Sequence, residues 1–261
     1  MGEKKISEFI ITEVIDRVLR IEINRPEKKN ALTLDMYGAI ANAISEGEED
    51  PTIRVILLHG HKEFFCGGND IKEFQSASAK AGSNPLRDFR IAINTAKKPL
   101  VAAVDGYAVG VGMTMLLLFD LVYAGSNAQF RTPFVDLALC PDAGSTYILP
   151  RLVGHHRAAE IFLFCDYLTA EEAYNIGFVN KVFPVDNLLE EVLLLCHRLA
   201  TKPPTSVRIT KELLKRSTAA SIADARTVEF KNLTRRMISK EAREVFKAFL
   251  EHRDPDFSKF K

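Results

Sequence analysis

The sequence predicts an α/β fold whose C-terminal part is wholly helical, and three observations predict it. Short apolar runs of strand length alternate with helical segments through the first two thirds of the chain. Glycine-bearing turns stand directly between strand and helix, the arrangement that goes with parallel pairing and helices packed outside. Beyond Pro203 the pattern offers helices with no strand among them. A length of 261 residues suits one large domain, or one domain with a small appendage, and 47% hydrophobic residues supply a sizeable core.

Residues 9–14 and 18–24 are β-rich runs separated by Ile15-Asp16-Arg17. Thr33 is a candidate N-cap for a helix running to about Glu46, with Gly47 as its C-terminal stop. Residues 55–59 form another short apolar run. From Pro99 the order is strand (100–104), turn (Asp105-Gly106), then an apolar helix opened by Gly110-Val111-Gly112, then a strand at 121–124. Thr169-Ala170-Glu171-Glu172 is a capping box and marks a helix start. A short strand is expected at 178–182, and a helix introduced by Pro184 and Asp186 runs to about Ala200 before Lys202-Pro203-Pro204 breaks it. The expected division is a core over residues 1–202 and a helical, oligomer-forming region over 203–261.

A net charge of +1 advertises neither nucleic acid nor an anionic membrane. The first ten residues include basic ones but no apolar stretch, so they do not read as a secretory signal, and Ile6 stands where a myristoylation motif wants Ser or Thr. The longest apolar stretch, 113–124, is interrupted by Asp120 and is too short to span a bilayer. Cys66, Cys140, Cys165 and Cys196 show no CxxC spacing and no histidines at zinc-like offsets, so packing residues in a reducing compartment are expected, no metal site, and a cytoplasmic location.

Two glycine turns carry the chemistry-bearing signals: Phe65-Cys66-Gly67-Gly68-Asn69-Asp70-Ile71, and Gly106-Tyr107-Ala108-Val109-Gly110-Val111-Gly112-Met113. Glycine lets backbone approach a ligand closely, and amides at a helix start are unpaired and partly positive. Two such amides converging on one point would make an oxyanion hole. Taken singly, such turns are common, and neither matches the dinucleotide or phosphate-loop pattern.

Their order and context are more specific. Asn24-Arg25-Pro26-Glu27-Lys28-Lys29-Asn30-Ala31-Leu32, the turn at 65–71, Lys98-Pro99-Leu100-Val101-Ala102-Ala103-Val104-Asp105-Gly106-Tyr107, the turn at 110–112, and Leu168-Thr169-Ala170-Glu171-Glu172-Ala173 leading to Gly177-Phe178-Val179 together resemble the crotonase (enoyl-CoA hydratase/isomerase) superfamily, from about residue 8 to the C-terminus. The resemblance implies a crotonase-like spiral of ββα turns, homotrimers or dimers of trimers, and an acyl-CoA thioester substrate, with no separate cofactor because CoA is part of the substrate. It implies that the main-chain N–H groups of Gly67 and Val111 hold the thioester oxygen as an enolate forms. It also implies that Lys28, Lys29, Asp70 and Ile71 lie near the CoA moiety, the lysines suiting phosphate as point charges; a solvated loop is their plainer reading. Phe74, Met115, Phe134 and Leu139 are candidates for the acyl pocket, although apolar side chains at such places more often belong to the core.

The family divides by where its carboxylates stand. The two positions of the hydratase pattern hold Thr114 and Phe134 here, and neither side chain does acid–base work on water at neutral pH. A carboxylate follows at Pro141-Asp142-Ala143-Gly144, resembling the placement in the family's double-bond isomerases and ring-epoxide isomerases. Local composition alone would make Asp142 a turn residue. Its apolar flanks (Leu137-Ala138-Leu139-Cys140 before, Tyr147-Ile148-Leu149-Pro150 after) would raise its pKa toward the working pH of a base.

The leading expectation is therefore an enoyl-CoA isomerase shifting a double bond from Δ3 to Δ2, or a related ring or epoxide acyl-CoA isomerase. One alternative is a hydratase acting through Asp142 alone, with Thr114 holding the water. Another is a non-catalytic RNA- or ligand-binding relative, for which the basic clusters at 211–216 and Arg235-Arg236 are adequately explained as solvated helix faces. The absence of Trp argues against the aryl-CoA dehalogenase branch of the family. His155-His156 at a helix start reads as surface, and His59 and His61 form no triad with Ser or Cys.

Overall fold

The computed structural model describes residues 4–61, 63–70 and 84–260. The chain opens with β1 (Lys4–Lys5), β2 (Ile10–Ile15) and β3 (Val18–Ile23). β2 and β3 pair antiparallel around Asp16 and Arg17, both at positive φ, the backbone a tight hairpin requires. A short 3₁₀ turn (Pro26–Lys28) leads to α1 (Leu34–Glu49), whose N-cap Thr33 accepts from the Met36 amide. α1 runs straight through Gly47, so the expected stop is corrected. Gly47 is buried, and a Cβ there would lie 2.6 Å from Leu19 Cδ2. The glycine serves close helix–strand approach, not termination.

β4 (Val55–His59), β5 (Phe64–Cys66), α2 (Pro85–Thr95), β6 (Leu100–Val104), β7 (Tyr107–Val109), α3 (Val111–Thr114), β8 (Leu121–Gly125) and β9 (Gln129–Arg131) follow. Among the described residues these strands build two sheets, one ordered β1-β2-β3-β4-β6-β8 and one in which β9, β7 and β5 are neighbours. From β4 to β9 the chain enters the two sheets alternately, with β3-β4-β6-β8 parallel in the larger and β5-β7-β9 parallel in the smaller. This is the expected spiral. The smaller sheet was not legible beforehand, because its strands are only three residues long and carry no alternation of their own.

α4 (Ser145–Val153) and α5 (His155–Phe164) come next, then β10 (Leu168–Thr169), which pairs antiparallel with β9. α6 (Ala170–Asn175) starts in the expected capping box, formed by Thr169 and Glu172 in both directions. β11 (Lys181–Phe183) joins β8 at the edge of the larger sheet. The strand expected at 178–182 is thus displaced toward its C-terminal end. The Phe178 and Val179 amides donate back to Ala173 O (2.9 and 3.1 Å) behind Gly177 at φ 79°, closing α6 instead of joining a ladder.

α7 (Leu188–Ala200) lies across the larger sheet. Its Leu188, Val192, Cys196 and Ala200 pack with Val55, Leu57, Val101, Ala103 and Tyr123, while Ile56, Leu58, Leu100, Ala102 and Val104 face the main core on the other side. A sheet covered on both faces explains why β4 and β6 read as continuous apolar runs. After Pro203 the chain is α8 (Pro204–Arg216), α9 (Ala219–Met237) and α10 (Lys240–Leu250). No described helix is long and apolar enough to cross a membrane.

α8 is fastened to the core through charge. The buried Lys211 ammonium donates to Lys98 O (2.6 Å) and pairs with Asp120 (2.7 Å), which also takes Lys215 (3.1 Å) and the Leu100 amide (2.7 Å). Removing one partner of a buried pair leaves the other charge uncompensated. Asp120→Ala is expected to lower unfolding free energy by about 3 kcal/mol in urea titrations; a change within error would mean that α8 is held by packing alone.

Candidate active site

β5 and β7 are parallel neighbours, with Phe64 opposite Tyr107 and Cys66 opposite Ala108, so the turns that follow them emerge side by side. The turns interlock. A Cβ on Gly112 would lie 2.4 Å from Cys66 O, and one on Gly68 would lie 3.2 Å from Val109 O. Gly110, at φ 57° and ψ −119°, caps α3 in a conformation only glycine adopts readily, and its own amide donates to Arg131 O (2.9 Å). Val111 is the first residue of α3, so its N–H has no carbonyl within the helix to bond, and among the described residues it donates to no main-chain acceptor. Its side chain is packed in the main core and not in the cavity.

The amide expected to accompany it is corrected. Gly67 N–H already donates to Lys29 O at 2.8 Å, and a Cβ on Gly67 would lie 2.6 Å from that oxygen. Two residues on, Leu32 N–H donates to Gly68 O (2.8 Å) and Asp70 N–H to Leu32 O (2.9 Å), a parallel bridge centred on Asn69. In such a bridge the central residue's own N–H points away from the paired strand, here away from residue 32. Among the described residues the Asn69 N–H donates to no main-chain acceptor. Its side-chain oxygen accepts from Tyr37 Oη of α1 at 2.6 Å, which holds the turn in place. Sequence reading found this turn but not its free amide, since the deciding bonds come from residues 29–32.

A cavity of about 500 Å³ opens beside the first turn. Gly67, Gly68 and Asn69 form one wall, and Asp142 stands on it with Phe134, Leu139, Pro133 and Leu137. Leu233 and Met237 from α9 and Arg243 and Phe246 from α10 complete it. Phe134 and Leu139 therefore stand on the wall of this cavity. Met115 is not: it is buried in the main core, in the 3₁₀ turn after α3. The α9 and α10 contributions were missed, because an apolar stripe on a helix does not say which surface it meets.

Asp142 is half-buried. Its Oδ1 accepts from Thr114 Oγ1 at 2.7 Å, so the residue at the hydratase position is an orienting partner. The Asp142 pKa is pushed up from 3.8 to about 6, first by burial and then by the Glu229 carboxylate, against the Thr114 hydrogen bond and the Arg90 charge. The turn around it is bent, with Ala138 and Ala143 at positive φ (54° and 63°), a conformation that costs a non-glycine residue about 1 kcal/mol. Glu229, buried on α9, accepts from Gly144 N (2.6 Å), Thr146 N (2.9 Å) and Thr146 Oγ1 (2.5 Å).

Lys28 and Lys29 are exposed beside the first turn, and the Lys29 ammonium sits 5.7 Å from the Phe64 ring centre. Asp70 faces Arg25 Nη1 at 2.9 Å, and the same guanidinium group donates to Ala31 O (3.0 Å). The Asp70 carboxylate fastens the loop at 25–32 to the turn. Ile71 and Phe74 lie outside the described residues. The Cys66 thiol is pushed up to about 12 by burial, which leaves no thiolate for chemistry.

The enoyl-CoA hydratase/isomerase family model matches residues 13–260. Enoyl-CoA delta isomerase 2 of Rattus norvegicus is 36% identical over 255 residues, spanning 95% of this chain, which in turn spans 65% of that relative's length. The 2,3-dehydroadipyl-CoA hydratase of Escherichia coli K12 is 34% identical over 253 residues, with 97% of this chain and 99% of that one covered. Among solved structures, an enoyl-CoA hydratase/isomerase from Pseudoalteromonas atlantica T6c superposes with a TM-score of 0.92 at 35% identity, covering 96% of this chain and 100% of that one. With the match running through both glycine turns and the Asp142 turn, the chain belongs to the enoyl-CoA hydratase/isomerase family.

Proposed function

We propose that the protein is an acyl-CoA isomerase that moves a double bond from Δ3 to Δ2 through a thioester dienolate. The observation that carries this reading is that Asp142 is the one carboxylate among the described residues lining the cavity. Allylic isomerisation needs a single base. Asp142 takes the α-proton, the thioester oxygen gathers negative charge, and the same carboxyl returns the proton at the γ-carbon. The Asn69 and Val111 amides are the two donors for that oxygen, and fixed donors in a water-poor site stabilise it by several kcal/mol. Proton movement of this kind calls on no separate cofactor, since CoA arrives with the substrate. Lys28 and Lys29 are the proposed partners of the CoA phosphates, a reading supported by their exposure beside the first turn.

Hydration would require a second group to activate water, and Thr114 already donates its hydroxyl proton to Asp142. The relatives carry both isomerase and hydratase names, so the product decides. Linear, ring and epoxide substrates use the same base and are not distinguished by side-chain identity. A nucleic-acid-binding role finds little support: Lys211 and Lys215 pair with Asp120, and Arg236 pairs with Glu241. A cytoplasmic homotrimer or dimer of trimers remains the proposed state, supported by exposed apolar side chains such as Leu163, Phe164, Leu214 and Leu250. Residues 203–261 are the proposed oligomer-forming region.

The test is to offer a 3-enoyl-CoA to the purified protein and identify products by mass and chromatography across pH. The expected product is the 2-enoyl isomer with no mass gain. Because the base works ionised, kcat should rise with pH through about 6 and level off above it. A product heavier by one water, or a rate indifferent to pH in that window, would transfer the assignment to another chemistry.

A further inference from the structure

Glu229 lies 87 residues beyond the base, on α9, yet it grips the turn that carries it. Its two carboxylate oxygens take the amides of Gly144 and Thr146 and the Thr146 hydroxyl. Gly144 is the N-cap of α4 and has no side chain to satisfy the first-turn donors, so a carboxylate from another element does so, where the positive end of the helix favours it. The grip extends along the turn, with Arg236 Nε of α9 donating to Ala138 O at 3.1 Å. Gly144 itself must stay glycine, since its φ is 80° and a Cβ would lie 3.0 Å from Ile222 Cγ2 of α9. Burying a second carboxylate beside Asp142 opposes stability, and a neutral acceptor could cap the helix without that cost.

We propose that Glu229 is a positioning residue for Asp142: its carboxylate caps α4 from α9, sets the turn that presents the base to the cavity, and faces that base with like charge. This rests on Asp142 being the base. The groups facing Asp142 are Tyr37 from α1, Arg90 from α2, Thr114 from α3, Glu229 from α9 and Cys140 from its own turn, with Arg226 of α9 adjoining Arg90 and Glu229. Burial raises the Asp142 carboxyl most; the Glu229 charge adds to that rise, and the Thr114 hydrogen bond and Arg90 oppose it, so removing the Glu229 charge leaves a weaker base.

The test is Glu229→Gln, which preserves shape while removing the charge and one acceptor. Asp142 is titrated directly by carboxyl ¹³C NMR, assigned against Asp142→Asn, and kcat and KM are followed across pH. The expected result is an Asp142 midpoint lower by about half a pH unit or more, an acid limb of kcat that follows it, and a plateau kcat lower by about tenfold, with KM little changed. An unmoved titration overturns the proposal, whether kcat is intact or falls only in step with thermal stability. Should the Gln variant fail to fold, Thr146→Val loosens the same grip from the exposed side, and kcat unchanged at unchanged KM in that variant overturns it equally. Isomerisation at full rate by Asp142→Asn would refute the base assignment alone, because the NMR titration does not depend on turnover.

Discussion

Replacing Asp142 with Asn should lower kcat for 3-enoyl-CoA isomerisation by about 10²- to 10⁴-fold, the usual worth of a positioned general base, while acyl-CoA still binds. Asn keeps an oxygen for the Thr114 hydroxyl, so the turn retains its geometry and only the proton acceptor is lost. The same variant should be more stable than the parent at neutral pH. A carboxyl held at about 6 instead of 3.8 destabilises the folded state by roughly 3 kcal/mol once ionised. The sign follows from the raised pKa: the cost is absent below pH 4, grows as pH climbs from 4 to 6, and is fully present above 6. The stability gain of the Asn variant should therefore appear at pH 7 to 8 and vanish near pH 4. Thermal melts at those pH values check it, and a destabilised Asn variant would mean that the carboxylate is a structural group and not a base held at cost.

Gly112→Ala should have the second largest effect, a fall in kcat of about 10²-fold, approaching that of losing one oxyanion donor. The added methyl would sit 2.4 Å from Cys66 O and 2.9 Å from Cys66 Cβ. Cys66 is fully buried and its carbonyl belongs to β5, so no flexible side chain can yield. The start of α3 must move away from the turn after β5, and the Val111 and Asn69 amides move apart with it. Melting temperature should fall by a few degrees, as overpacking of a core costs about 1–3 kcal/mol. Steady-state kinetics and a thermal melt on one preparation separate the two effects. Wild-type kcat in a destabilised variant would show that the turns do not act as a unit.

Much of the fold was legible because its signals are local. The capping box at Thr169, the break at Lys202-Pro203-Pro204, and the β4 and β6 runs all depend on residues within a turn or a strand of each other. The misread boundaries were decided by distant partners. Gly47 resembles a helix stop until Leu19 and Ile56 are seen against it, and Phe178 and Val179 resemble a strand until their amides are seen closing α6.

For the site, sequence alone determined that two glycine turns and an acidic turn residue occur in an order shared with one family, and that the hydratase positions are filled by Thr114 and Phe134. It could not say which amide of the first turn is free. That depends on Lys29 and Leu32 taking up the flanking hydrogen bonds, and each main-chain N–H has only one proton to give. Nor could it set the pKa of the Asp142 carboxyl, which is raised by burial and by a carboxylate from α9. A motif specifies which groups a turn carries; their availability and charge are properties of the space around them, which chain segments far apart in sequence fill together.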